Sequence, residues 1–141
     1  MSRNVLIVDD SATIRRMVRK TMDIAGLDYD QVYEASNGIE ALAQLADHEV
    51  GVVVVDINMP TMNGVQLLQR MKQNSRLQDL PIVIASTEGS KQRIEQLVEY
   101  GACAYVRKPF QPEQLRDALM PILGVKENAT AESGNTGDDF F

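Results

Sequence analysis

The sequence predicts an α/β fold: a doubly wound, five-stranded parallel sheet with five helices. Three observations carry this. Five short apolar runs alternate with five amphipathic helical patterns. Two of the runs are continuously apolar and β-branched, as strands buried on both faces require. The runs recur every 20 to 30 residues or so, roughly the pitch of a βαβ unit.

The runs are Val5–Val8, Val32–Ala35, Gly51–Val55, Pro81–Ala85 and Ala104–Val106. Tyr29–Ala35 is more polar than the rest and reads as an edge strand. The first helix carries Ile14, Met17, Val18, Met22 and Ala25 at helical spacing, and Gly26 stops it. The second carries Ala41, Leu42 and Leu45, with Asn37 as cap and Glu40 three residues on. Val65, Leu68 and Met71 form the third behind Asn63. Ile94, Leu97 and Val98 form the fourth behind Ser90. Leu115, Ala118, Leu119 and Ile122 form the fifth, with Pro112 suited to its first turn and Gln111 a poor cap.

Composition narrows the function. The net charge is −6 and the pI near 4.7. A nucleic-acid binder needs a basic face, as does a protein that docks on anionic lipid, so neither is expected. Cys103 is the lone cysteine, which fits a reducing compartment; it is expected to be a small buried residue just before the fifth strand. The run entered at Val5 is too short for a signal sequence, and no apolar stretch is long enough to span a membrane. A cytoplasmic protein is expected. The pattern collapses from about Val125, so the expected division is a domain over 1–124 and a flexible acidic tail over 125–141.

In a doubly wound sheet, functional residues collect at the carboxyl ends of the strands. The first strand runs into Asp9-Asp10, the third into Asp56, the fourth ends at Ser86-Thr87, and Lys108-Pro109 follows the fifth. Three carboxylates, a hydroxyl and an ammonium are thus expected at one mouth. Such carboxylates repel one another and stay ionised only with compensation. A hard dication with oxygen ligands supplies it, and Mg²⁺ is the natural candidate. Lys108 adds a point charge aimed at Asp56 or at a phosphoryl group attached to it.

Val8-Asp9-Asp10-Ser11, Asp56-Ile57-Asn58-Met59-Pro60-Thr61-Met62-Asn63-Gly64 and Val106-Arg107-Lys108-Pro109-Phe110 resemble the receiver domains of two-component response regulators. The likeness covers roughly residues 4 to 123, and the joint presence of these segments in order is highly specific. The run Asp10 to Arg16, and a chain without an output domain, look most like the single-domain chemotaxis regulators of that family. The fold this implies is the flavodoxin-like receiver sheet.

The resemblance implies a role for each residue. Asp56 accepts a phosphoryl group from a histidine kinase or a small donor. Asp10 and Asp56 bind Mg²⁺ through their side chains, Asn58 through its backbone carbonyl, and Asp9 mostly through water. Lys108 and Ser86 contact the phosphoryl group. Ser86 and Tyr105 are the moving switch pair, and the Lys108–Pro109 bond is cis. Asn58 and Glu88 tune hydrolysis of the phosphoryl group. Lys91, Tyr105, Arg107 and Arg116 lie on the face offered to partners. The implied function is a signalling domain rather than a true enzyme, catalysing only its own phosphorylation and dephosphorylation. It is expected to be a monomer, with a target such as a flagellar switch component. A phosphate sink and a non-motility adaptor remain alternatives.

Blander readings lose by combination. Asp9 and Asp10 alone suit a helix cap, but not with Asp56 and Lys108 in matching places. A haloacid-dehalogenase-type phosphatase wants Asp-x-Asp, and Asp56-Ile57-Asn58 lacks the second carboxylate. A flavodoxin-type cofactor binder needs an anion loop after the first strand, where Asp9-Asp10 repels phosphate. A pseudo-receiver that never takes phosphate does not need the full residue set. His48 is expected on the surface, away from the mouth. The segment Asp138-Asp139-Phe140-Phe141 reads either as solvated tail or as a docking peptide for this domain or another protein.

Overall fold

The computed structural model describes residues 2–87 and 89–126. The elements alternate as expected: β1 Val5–Val8, α1 Ala12–Ile24, β2 Val32–Ala35, α2 Gly38–Asp47, β3 Val52–Val55, α3 Gly64–Lys72, β4 Ile82–Ser86, α4 Lys91–Glu99, β5 Ala102–Arg107 and α5 Pro112–Leu123. The strands are all parallel, in the order β2-β1-β3-β4-β5. Strand order reverses at β1, so the carboxyl ends of β1 and β3 flank the switch-point crevice.

The period of two along each strand divides the core. Leu6, Val8, Val53, Val55, Ile82 and Ile84 point to one face, where Leu45 of α2, Leu68 and Met71 of α3 and Leu97 of α4 cover them. Val5, Ile7, Val52, Val54, Val83 and Ala85 point to the other, under Val18 and Met22 of α1 and Leu115 and Leu119 of α5. The all-valine β3 is buried along its whole length because neither face meets water.

Helix starts follow their capping residues. Asn37, Asn63 and Ser90 each accept a backbone N–H from the third residue of their helix. Asn63 adds a reciprocal bond: its own N–H donates to Gln66 Oε1 at 3.0 Å. At α5, the N–H of Gln111 donates to Gln114 Oε1 at 2.7 Å. At α2, Glu40 reaches back to Ser36, accepting from its N–H and hydroxyl, both at 2.8 Å. The Ser36 backbone bond, and then its hydroxyl, hold the Glu40 carboxyl below its ordinary range.

Three local features differ from expectation. The second strand starts at Val32, not Tyr29, because the N–H groups of Asp30 and Gln31 are taken by Arg3 and Asn4 instead of a ladder. Cys103 lies within β5 and is exposed. Ile82 pairs with Ala102 and Val83 with Ala104, so Cys103 is the extra residue of a bulge on an edge strand and turns outward. Val125 forms an antiparallel bridge with Leu27, and Lys126 N–H donates to the Gly26 carbonyl at 2.9 Å. Contacts with the domain therefore continue to Lys126, while the rest of the expected tail lies outside the described residues.

Leu119 is fully buried between α5 and the sheet. Truncating it removes transfer energy and leaves a cavity. Leu119→Ala is expected to lower unfolding stability by about 2–5 kcal/mol, read as a fall in the urea midpoint at constant slope.

Candidate functional site

Each strand end delivers its residue to one crevice. Asp9 follows β1 and is buried, 5% exposed. Its Oδ1 accepts from the N–H of Ser11 at 2.9 Å, and its carbonyl accepts from Arg15 Nη1 at 2.6 Å. Ser11 caps α1, so the same turn fixes both helix start and acid. Asp10 is the neighbour left exposed. Asp56 follows β3 and is 8% exposed. Its N–H donates to the Val8 carbonyl at 2.9 Å, extending the β1–β3 ladder to the acid itself. Its Oδ1 lies 3.4 Å from the N–H of Asn58.

Oxygens of Asp9, Asp10 and Asp56 lie within 4.8 Å of one another. At that separation two full charges repel by about 3 kcal/mol at an effective dielectric near 20. Lys108 offsets part of this. Its Nζ is 2.5 Å from Asp9 Oδ2 and 3.6 Å from Asp56 Oδ2. The ammonium therefore bridges two acids and favours Asp9, where Asp56 was the expected target. Asp9 is the more buried and has the better aligned partners. One lysine against three carboxylates leaves a net negative crevice of clustered oxygens, and that donor set suits a hard dication.

The β4–β5 side completes the mouth. Ser86 ends β4 with no exposure at all, and its carbonyl accepts from the N–H of Lys108 at 2.9 Å. The Lys108–Pro109 bond is cis. Tyr105, opposite Ile84 on β5, is half-buried and lines a cavity of about 160 Å³ between α4 and β5. Lys91 opens α4 and Arg107 ends β5, both exposed. Arg116 on α5 pairs with Asp117 at 3.2 Å. Glu88 falls outside the described residues. His48 closes α2 at the far end from the acids and stacks on Tyr33, ring centroids 4.0 Å apart.

Three supporting residues escaped the sequence reading. Arg15 clamps the Asp9 carbonyl while its Nε holds Glu34 at 2.7 Å, tying α1 to β2. A Cβ at Gly64 would sit 2.6 Å from the Asp56 carbonyl oxygen, so only glycine lets α3 start against the acid-bearing loop. Thr61 has φ of 68°, and Met62 N–H donates to the Pro60 carbonyl at 2.7 Å. That is a tight three-residue turn, strained for a β-branched residue. The only prior signal was turn chemistry in the Pro60–Gly64 stretch.

The receiver-domain reading can now be set against known proteins. The family model described as the response regulator receiver domain matches residues 5–120. The chain belongs to the response-regulator receiver family. It is similar to the chemotaxis protein CheY1 of Helicobacter pylori, 37% identical over 87% of this chain and 98% of that one. The structure of the CheY4 chemotaxis protein of Vibrio cholerae superposes with a TM-score of 0.77 at 36% identity, over 87% of this chain and all of that one. The CheY of Borrelia burgdorferi, solved as a CheX–CheY–BeF₃–Mg²⁺ complex, gives a TM-score of 0.76 at 25% identity, over 84% and 87% of the two chains. The protein is a CheY-like receiver, a signalling domain. Among the described residues no helix is long and apolar enough to cross a membrane.

Two substitutions test the supporting loop. Thr61→Gly removes a left-handed penalty of about 1–2 kcal/mol, partly offset by added chain entropy, so the unfolding midpoint should rise. Gly64→Ala forces the Asp56 carbonyl aside. It should cost about 1–3 kcal/mol in the same assay and weaken Mg²⁺ affinity in a calorimetric titration.

Proposed function

We propose that this receiver is a phosphorylation-controlled chemotaxis regulator, with Asp56 as phosphoacceptor and a histidine kinase as donor. The observation that carries the reading is the Asp56 carboxylate itself. It is held nearly out of water, grouped with two further acids, and 3.6 Å from the Lys108 ammonium. A strand buried on both faces is a costly way to make a plain turn residue.

Asp56, Asp10 and the Asn58 carbonyl would hold Mg²⁺, with Asp9 adding charge from the second rank. Bound there, the ion neutralises charge on the carboxylate and on the incoming phosphoryl oxygens. The chain's own groups do the rest. An Asp56 oxygen attacks phosphorus, the P–N bond to the donor imidazole breaks, and the imidazole leaves with its proton. Lys108, already between the two acids, shifts its contact toward a phosphoryl oxygen. The Ser86 hydroxyl donates to another. Release is attack of a water on phosphorus with cleavage of the Asp56–phosphoryl bond. Asn58 and Glu88 orient that water, which keeps the phosphoryl state short-lived.

Signalling is a population shift. A near-complete flip between two states needs about 5.5 kcal/mol of differential contact. Charge-assisted bonds run to about 1.5–3 kcal/mol each, so Lys108 and Ser86 together approach what is needed. Tyr105 lines the cavity between α4 and β5 with its hydroxyl already buried, so its ring has space to reorient as Ser86 moves. The partner face is α4, β5 and α5, with Lys91, Tyr105, Arg107 and Arg116. The Borrelia complex supports protein partnership of the activated state. The protein would act in the cytoplasm as a monomer, on a target such as a flagellar switch component. The receiver domain is assigned to 1–124, with Val125 and Lys126 held against it.

The deciding experiment treats the full chain with acetyl phosphate and Mg²⁺ and reads intact mass. One phosphoryl group should add to the wild type and none to Asp56→Asn. Persistent labelling of the variant would overturn the assignment. Beryllofluoride-dependent capture of a flagellar switch component would support motor control. Labelling without any such capture would point to a phosphate sink.

A further inference from the structure

Three large apolar side chains on α1 and α5 face water: Met17 is 43% exposed, Ile24 68% and Met120 39%. Met17 and Ile24 are seven residues apart and share one stripe of α1. The Arg15–Glu34 pair marks the side of α1 that looks toward β2. By the helix period, Met17 and Ile24 lie on the other side, toward α5, which packs on α1. Met120 stands one position round from the buried Leu115–Leu119–Leu123 stripe of α5, the helix in contact with α1. Beside the α1 stripe run Arg16 and Lys20, exposed, one turn apart, and without an ion pair among the described residues.

This surface meets the chain's own continuation. The Val125–Leu27 bridge and the Lys126–Gly26 bond bring the backbone to the foot of α1. Residues 127–141 carry Glu127, Glu132, Asp138 and Asp139 and no Lys or Arg, and Phe140 and Phe141 are their only large apolar side chains. A polar segment of that length has a root-mean-square reach of about 20 Å. The 13 residues of α1 span about the same distance. Charge, apolar content and reach all match.

We propose that residues 127–141 dock along α1 of the same chain, with Phe140 and Phe141 against Met17, Ile24 and Met120 and the acids on Arg16 and Lys20. Aromatic rings on methionine sulfur are a favourable contact. The docked state forms without a phosphoryl group, so it stands or falls apart from the function proposed above.

The test is methionine-methyl NMR on the full chain. Ring currents should displace the Met17 and Met120 methyl signals in the wild type. Phe140→Ala/Phe141→Ala should return them toward ordinary shifts while the core signals of Met22, Met62 and Met71 stay put. Arg16→Glu/Lys20→Glu should do the same more weakly, and raised salt should mimic it. Unchanged Met17 and Met120 signals in the phenylalanine variant would overturn the proposal. Displacements that vanish on dilution would overturn it too, since the occupant would then be a second copy.

Discussion

The structure turns on one electrostatic constraint: carboxylates of Asp9, Asp10 and Asp56 gathered within 4.8 Å, with one ammonium to offset them. Like charges this close are tolerable only when the scaffold forbids their retreat and supplies opposite charge. Both conditions are met by the backbone. Asp56 is pinned by a ladder bond to Val8, Asp9 by the turn that starts α1, and Lys108 by its N–H bond to the Ser86 carbonyl. The sheet thus stores an unbalanced charge at the point where its strand order reverses.

Charge imbalance also sets what the site favours. Lys108 lies nearer Asp9 than Asp56. An ammonium that leans on a neighbouring acid leaves the Asp56 carboxylate partly uncompensated and receptive to further positive charge. The short pair is the one to Asp9, and the longer contact to Asp56 is the weaker hold.

The fold was readable because strand burial and helix capping speak through short-range pattern. Unbroken apolar runs at 5–8 and 52–55 signal strands with two dry faces, and Asn37, Asn63 and Ser90 mark helix starts. The acid cluster was readable because strand ends point at one place once the topology is set. What stayed hidden depends on tertiary register. The outward turn of Cys103 comes from a bulge between β4 and β5, which no periodicity encodes. The strained turn at Thr61 exists because the Met62 carbonyl must accept from Gly38 at the head of α2. The choice of Lys108 between two acids is a matter of ångströms.

The same register argues for how crevice and outer face communicate. Ser86 pairs with Arg107 and Ile84 with Tyr105, and Lys108 follows directly, so the site hydroxyl, the site lysine and the half-buried aromatic all depend on one pair of strands. β5 is an edge strand with a bulge at its start and less burial than its neighbours, and it borders a cavity under α4. β5 is paired on one side only, and Tyr105 hangs on it with its hydroxyl already buried. The acids follow β1 and β3, two strands buried along their whole length, while Tyr105 lies on the edge strand β5 and Lys108 just beyond it, so the charged cluster and the aromatic rest on parts of the sheet that differ in burial.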